Sequence, residues 1–399
     1  MRWEMCVLAT PYVEARPVHG SAHGKSAIIA PATASPHGLR LLASCDPRRR
    51  NHSETVRFIL LASLVVACSS RSSMTIEELG ATAFTDTNLS EPPGQSCADC
   101  HSPTNAFRDP ESDHSTSAGA VAGRFGARNS PTILYAAKVP PRDLVGDRVI
   151  GGLFWDGRAN SLEDQAQAPL LNPLEMNNPD KLAVAGRLRD AGYAQGFRDV
   201  FGEAALDDPD EAVAHLTQAL AAYERTPALS PFTSRYDQFV AGTAKLTDPE
   251  TRGLAIFERA CSSCHPPPMF TDYSYANLGV PRYANNLYYL QPPPLNPDGA
   301  LYVDHGLATI THDPRDDGAF RVPTLRNIAR TGPYGHNGYF ANLPYFIDFL
   351  NTRDVGSSRN GSWAPPEVAA NVSTAVGHLD LDATSEADLL AFLGTLSDQ

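Results

Sequence analysis

Two short stretches of the chain carry the residues most able to do chemistry. "CADCH" occupies 97–101 and "CSSCH" occupies 261–265, each with two cysteines three positions apart and a histidine directly behind the second. Two residues between the thiols let both reach one edge of a flat macrocycle while the histidine sits beneath its centre. That is the attachment signal for c-type haem, in which the thiols add to porphyrin vinyl groups and the histidine ligates iron. Cys97, Cys100, Cys261 and Cys264 are therefore expected to hold two haems covalently, with His101 and His265 as proximal ligands. Zinc is the rival, since four Cys and two His could bind metal. Structural zinc sites rarely place a His directly after the second Cys in both halves, which favours haem.

The cysteine count supports this division. Of seven cysteines, Cys6 and Cys45 fall in an upstream segment and Cys68 ends an apolar run. The remaining four all lie in the two CxxCH units, so no structural disulfide is expected even in an oxidising compartment.

Helices must position these units. "TIEELGATAF" predicts a short helix ahead of the first. "TDPETRGLAIFERACSSCH" predicts another running into the second, capped by Thr247 or Asp248 with Pro249 near its first turn and Leu254, Phe257 and Ala260 on one face. "DPDEAVAHLTQALAAYERT" is amphipathic, with Val213, Leu216, Leu220 and Tyr223 in one stripe. "TSEADLLAFLGTL" closes the chain, with Ser385 and Asp388 as a capping box ahead of Leu389, Leu393 and Leu396. Between them run long Pro/Gly/Asn stretches such as "YYLQPPPLNPDG", without alternating strands. Loops of this length make sense where they wrap a bulky group that replaces peptide core. The expected fold is mostly α, with two cytochrome c-like domains each built around one covalently bound haem: 75–230 and 231–399.

Residues 1–67 read as a leader outside this fold. Residues 1–50 show no sustained period. "VRFILLASLVVACSS" (56–70) then gives one positive charge, an apolar run, small residues and a cysteine, the pattern of a secretory signal. Its "LVVAC" end resembles a bacterial lipoprotein signal, which would make Cys68 the lipidated first mature residue and Val56 a candidate start. A buried apolar helix is the alternative. The expected location is the periplasm, with the membrane reached only through a lipid anchor at Cys68.

The chain has 399 residues, 42% hydrophobic and 19% charged, with a net charge of −13. Those proportions fit a globular protein. The acidic balance, with Arg48, Arg49 and Arg50 as the only dense basic run, argues against nucleic acid.

Two longer motifs, "LFWDGRANSLEDQAQAPLLNPLEM" (153–176) and "AFRVPTLRNIARTGPYGHNG" (319–338), resemble the bacterial dihaem cytochrome c peroxidase and MauG family. The likeness runs from about residue 75 to the end, in the order haem, "RNSPT", "WDGR", "NPLEM", haem, "FTD", "NLGVP", "FRVPTLRN", "PYGHNG". It implies an N-terminal haem that reacts with peroxide and a C-terminal haem that relays electrons. The family's distal Gln and Glu match Gln165 and Glu175, and its tryptophan between the haems matches Trp155. Independently of the family, cleaving an O–O bond needs a proton carried from one oxygen to the other, which a carboxylate beside open iron can do. The ten-residue separation of Gln165 and Glu175, with two prolines between, suits an irregular loop. Asn129, Thr331 and Pro333 match the family's calcium ligands, mostly backbone or neutral oxygens suited to a hard cation.

Two positions depart from the family's pattern. Val121 stands where many of these peroxidases carry a histidine that blocks the reactive haem; His114, seven residues earlier, lies in a Ser-rich loop. The reactive haem is thus expected to rest open or water-bound. Leu350 stands where a Met or Tyr ligates the C-terminal haem, with Met269 and Tyr345 as candidate substitutes and His336 as a supporting residue.

The resemblance implies reduction of hydrogen peroxide with electrons from a small cytochrome c or cupredoxin. The alternatives are a MauG-like enzyme oxidising a protein or organic substrate through high-valent haem iron, and a non-catalytic electron carrier. The oligomeric state, homodimer included, is left open by these residues.

Overall fold

Thr75 starts the first helix by a reciprocal pair of bonds: its hydroxyl accepts from the Glu78 N–H at 3.2 Å, and Glu78 accepts from the Thr75 N–H at 2.9 Å. This capping box satisfies two N–H groups the helix leaves over. The computed structural model describes residues 73–110, 115–356 and 361–399. The leader, Cys68 and His114 lie outside them.

In chain order the helices are α1 (Ile76–Phe84), α2 (Cys97–Cys100), α3 (Leu162–Leu171), α4 (Lys181–Asp190), α5 (Ala194–Phe201), α6 (Pro209–Glu224), α7 (Arg235–Val240), α8 (Asp248–Ala260), α9 (Ala308–Thr311), α10 (Leu343–Thr352) and α11 (Ala383–Gly394). Among the described residues none is long and apolar enough to cross a membrane. Among the described residues the strands form two short antiparallel pairs: β1 (Asp143–Val145) with β2 (Arg148–Ile150), and β3 (Tyr275–Ala276) with β4 (Phe320–Arg321). At two or three residues they are too short for alternation to show in sequence.

The described residues belong to one compact unit, within which most of the apolar core forms two clusters. The first gathers Leu79, Phe84, Leu188, Phe197, Leu216 and Leu220; the second gathers Phe257, Phe270, Phe340, Phe349, Leu389 and Phe392. We call the surroundings of each cluster a lobe. Each lobe is organised by a helix pair meeting at a glycine. A Cβ on Gly80 of α1 would collide with the Ala219 carbonyl of α6, and one on Gly253 of α8 with the Asp388 carbonyl of α11. Only glycine lets these backbones approach so closely.

Helix boundaries mostly follow the caps. Thr247 caps α8 with Glu250 in reciprocal bonds, and Asp208 caps α6 ahead of Pro209. α11 differs: it begins at Ala383 because Asp382 accepts from the Ser385 N–H at 2.7 Å, so Ser385 lies inside the helix. The buried face of α8 is Gly253, Ile256 and Phe257, rotated from the expected one toward the glycine contact with α11.

The lobes are joined by Arg326, which is 1% exposed. Its guanidinium donates to both oxygens of Asp237 (2.9 and 2.8 Å) and to the Pro268 carbonyl (2.8 Å). It also lies over the rings of Phe232 (4.3 Å) and Tyr135 (5.0 Å), the latter a first-cluster residue.

Candidate active site

A cavity of about 680 Å³ runs between the lobes and is bordered by Cys100, His101, Cys261, Cys264 and His265. His101 Nδ1 lies 3.3 Å from the Phe107 carbonyl, and His265 Nδ1 lies 2.8 Å from that of Phe270. A carbonyl can only accept, so each ring carries its proton on Nδ1 and leaves Nε2 with a lone pair for iron. Burial lowers both imidazole pKa values, which favours the neutral form a ligand needs.

Burial also pushes the Cys97, Cys100 and Cys261 thiols up to about 12. Such groups are poor thiolate donors for zinc, whereas thioethers carry no charge and suit the site. Among the described residues no cluster of three or more His, Cys, Asp or Glu is placed to hold a metal ion. A further sign of fit is Arg321. It is half-buried at the cavity wall, donates to the Phe154 carbonyl at 3.3 Å and has no carboxylate partner among the described residues, and desolvation lowers its pKa. A cation so placed suits an anionic edge such as a haem carboxylate.

Gln165 and Glu175 border the same cavity as His101. Gln165 lies on α3 and not on the irregular loop expected from its two neighbouring prolines. Pro169, one turn on, has no N–H for the Gln165 carbonyl and crowds it, so the helix is perturbed at this residue but not ended. Glu175 sits in the turn after α3. Its N–H donates to the Asn172 carbonyl at 3.0 Å, its carbonyl accepts from the Ala120 N–H at 2.8 Å, and its Oε1 accepts from the Asn172 amide at 2.7 Å. Burial raises the Glu175 pKa, partly offset by the Arg158 charge and the Asn172 bond.

Trp155 also borders the cavity, and its indole N–H donates to the Asn129 carbonyl at 2.8 Å. The Asn129 amide donates to the Pro333 carbonyl at 2.7 Å, while its N–H donates to the His336 carbonyl at 2.7 Å. Asn129 and Pro333 are thus in direct contact, and Thr331 borders the same cavity. His336 stacks on Phe320 with ring centroids 3.6 Å apart, its Nε2 3.8 Å from Glu367.

Val121 is not part of the cavity wall, whereas Leu350 and Met269 are. Met269 packs against the first-lobe cluster. Tyr345 turns away into an aromatic group with Tyr339, Phe340 and Trp363.

The sequence model for di-haem cytochrome c peroxidase matches residues 75–245. Methylamine utilization protein MauG of Paracoccus denitrificans is 42% identical over 352 residues, covering 80% of this chain and 88% of that protein. The chain belongs to the di-haem cytochrome c peroxidase family. Cytochrome-c peroxidase IdrP1 of a Pseudomonas species (strain SCT) is 31% identical over 80% of both chains. The crystal structure of the diheme peroxidase BthA from Burkholderia thailandensis superposes with a TM-score of 0.72 at 32% identity, over 81% of this chain and 86% of that one. Family membership implies two haems and an oxidoreductase.

In this chain two cavity residues escaped the sequence reading. Arg321 lies inside the quoted "FRVPTLRN", but nothing in its type distinguishes a cavity-facing arginine from a solvated one. Glu224 ends α6 and reads as a polar helix terminus, yet it is 5% exposed, borders the cavity and leaves Oε2 without a partner. Burial pushes its carboxyl up to about 8, against the Arg225 charge.

Proposed function

We propose that the chain is a periplasmic di-haem c-type peroxidase, reducing hydrogen peroxide to water with electrons from a small cytochrome c or cupredoxin. In this reading 75–230 is the peroxidatic domain and 231–399 the electron-transfer domain. Cys97, Cys100 and His101 hold the first haem; Cys261, Cys264 and His265 hold the second. When bound, the first haem would supply the redox-active iron for peroxide reduction, a reaction that consumes two electrons and two protons.

The observation that carries the reading is the Asn172–Glu175 pair. With Oε1 occupied by the Asn172 amide, Oε2 is the oxygen free to take a proton from the nearer peroxide oxygen and return it to the farther one, which leaves as water. A burial-raised pKa brings the carboxyl closer to the working pH, where a shuttle both accepts and releases readily. The Gln165 amide would hold the peroxide in place for this transfer. Trp155 lies on the proposed route between the haems. Asn129, Thr331 and Pro333 are proposed to hold calcium, with the Asn129 amide rotated to present Oδ1. Export and lipid anchoring at Cys68 rest on the signal-like 56–70 segment.

A second reading, oxidation of a protein or organic substrate, is favoured by the 42% identity to a MauG protein and by Val121, whereas Leu350 supplies neither the methionine of one branch nor the tyrosine of the other. Peroxide consumption with reduced cytochrome c as the sole electron source separates the two. Sustained turnover supports the peroxidase; turnover only with an added organic or protein substrate supports the second reading.

A further inference from the structure

One wall of the cavity is built wholly from carbon. α10 contributes Leu343, Phe346, Ile347 and Leu350, a single i, i+3, i+4, i+7 stripe, and α11 contributes Leu389 and Leu393. None of these side chains carries a nitrogen, oxygen or sulfur that could coordinate iron. They belong to or pack on the second-lobe cluster, which also takes in Cys261.

Several donor-bearing residues of the same lobe also border the cavity. The Tyr334 hydroxyl donates to the Ile328 carbonyl at 2.6 Å. His336 is held flat on Phe320, with its Nε2 buried, without a hydrogen-bond partner and 3.8 Å from Glu367. Met269 packs against the first lobe, and Tyr273 lies near Arg321 on the segment following His265. The first-lobe side of the cavity is different in kind, since Gln165 and Glu175 offer polar groups there.

We infer that the second haem has His265 as its sole protein ligand, and that the α10–α11 wall forms a dry pocket on its open side for a small uncharged ligand of the carbon monoxide class. This rests on the di-haem reading above. An apolar pocket admits such a gas without desolvation cost but offers no hydrogen bond to peroxide or water. The protein would therefore have two open irons of opposite character, one polar and one apolar.

The test uses the purified holoprotein, its haem count first fixed at two per chain by pyridine haemochrome; fewer than two would defeat the di-haem reading itself. The dithionite-reduced protein is then titrated with carbon monoxide. Two equivalents per chain are expected, with two infrared C–O bands, of which only one shifts in Glu175→Gln. Leu350→Met should supply a sulfur ligand, give a low-spin ferrous haem and drop the uptake to one equivalent. Leu350→Ala should keep two equivalents with faster binding. Uptake of one equivalent by the unmodified protein overturns the inference, and its rise to two in Met269→Leu or Tyr273→Phe would identify the ligand overlooked.

Discussion

Trp155 donates its indole N–H to the main-chain carbonyl of Asn129 across 2.8 Å, and the Asn129 amide donates onward to the Pro333 carbonyl at 2.7 Å. This residue chain links the motif before the second CxxCH to the motif after it. Replacing Trp155 with Phe keeps an aromatic body but removes the donor. A buried acceptor left alone costs about 1–3 kcal/mol. The expected outcome is a loss of stability in that range, together with slower electron delivery from cytochrome c. The reaction of the pre-reduced protein with peroxide should change little, and stopped-flow mixing reads both.

The contact between Asn129 and Pro333 also bears on calcium. If these oxygens and Thr331 hold the ion, chelation should lower the Tm of the holoprotein, and added calcium should restore it. Asn129→Ala should be indifferent to both treatments. An unchanged Tm on chelation of the unmodified protein would count against the site.

Glu224 gives a pH dependence whose sign is fixed. Its carboxyl is pushed up to about 8 by burial, whereas an exposed Glu titrates near 4.3. Between those values the unfolded chain has released the proton and the folded chain still holds it. Stability from this group is therefore undiminished below about pH 4, falls as pH rises, and reaches its full deficit, on the order of a few kcal/mol, above about pH 8. Glu224→Gln cannot ionise. Its Tm should exceed that of the unmodified protein at pH 9, and the difference should vanish near pH 5. An equal difference at both values would show that the carboxyl does not ionise in this window.

Arg326 is buried against Asp237, Pro268 and two aromatic rings. Arg326→Leu removes the cation and leaves the partly buried Asp237 carboxylate with only the bonds from the Ser234 N–H and hydroxyl. Breaking such a pair costs about 3 kcal/mol. Urea unfolding should show a lower midpoint by the corresponding amount, with haem content unchanged. Arg326→Lys should recover only part, because an ammonium cannot make the same two-pronged contact.

How much of this was legible in the sequence depends on how local each feature is. Haem attachment is written in five consecutive residues, so His101 and His265 could be placed before any fold was known. The cap of α8 was also readable, since Thr247 acts within one turn. α6 was harder: Val213, Leu216 and Leu220 predicted one buried face, but α1, α3 and α4 pack around it and bury Ala212, Thr217 and Glu224 as well. A carboxylate at a helix end gives no sign that other elements will cover it. Gln165 illustrates the converse error, because the two prolines between it and Glu175 pointed to a loop where α3 absorbs Pro169 instead. No helix over 343–352 was read from the sequence; the structure supplies it and sets Leu343, Phe346, Ile347 and Leu350 at the cavity.

The most direct test of the account is the first encounter with peroxide. Reduced holoprotein of Glu175→Gln, with two haems per chain verified, is mixed with one equivalent of hydrogen peroxide in a stopped-flow instrument and compared with the unmodified protein. The account predicts that the peroxide-dependent spectral change slows by about 100-fold or more, the scale of losing a positioned proton carrier, while reduction by cytochrome c is unaffected. Equal rates in the two proteins would contradict it, since Glu175 would then not be the group that moves the proton.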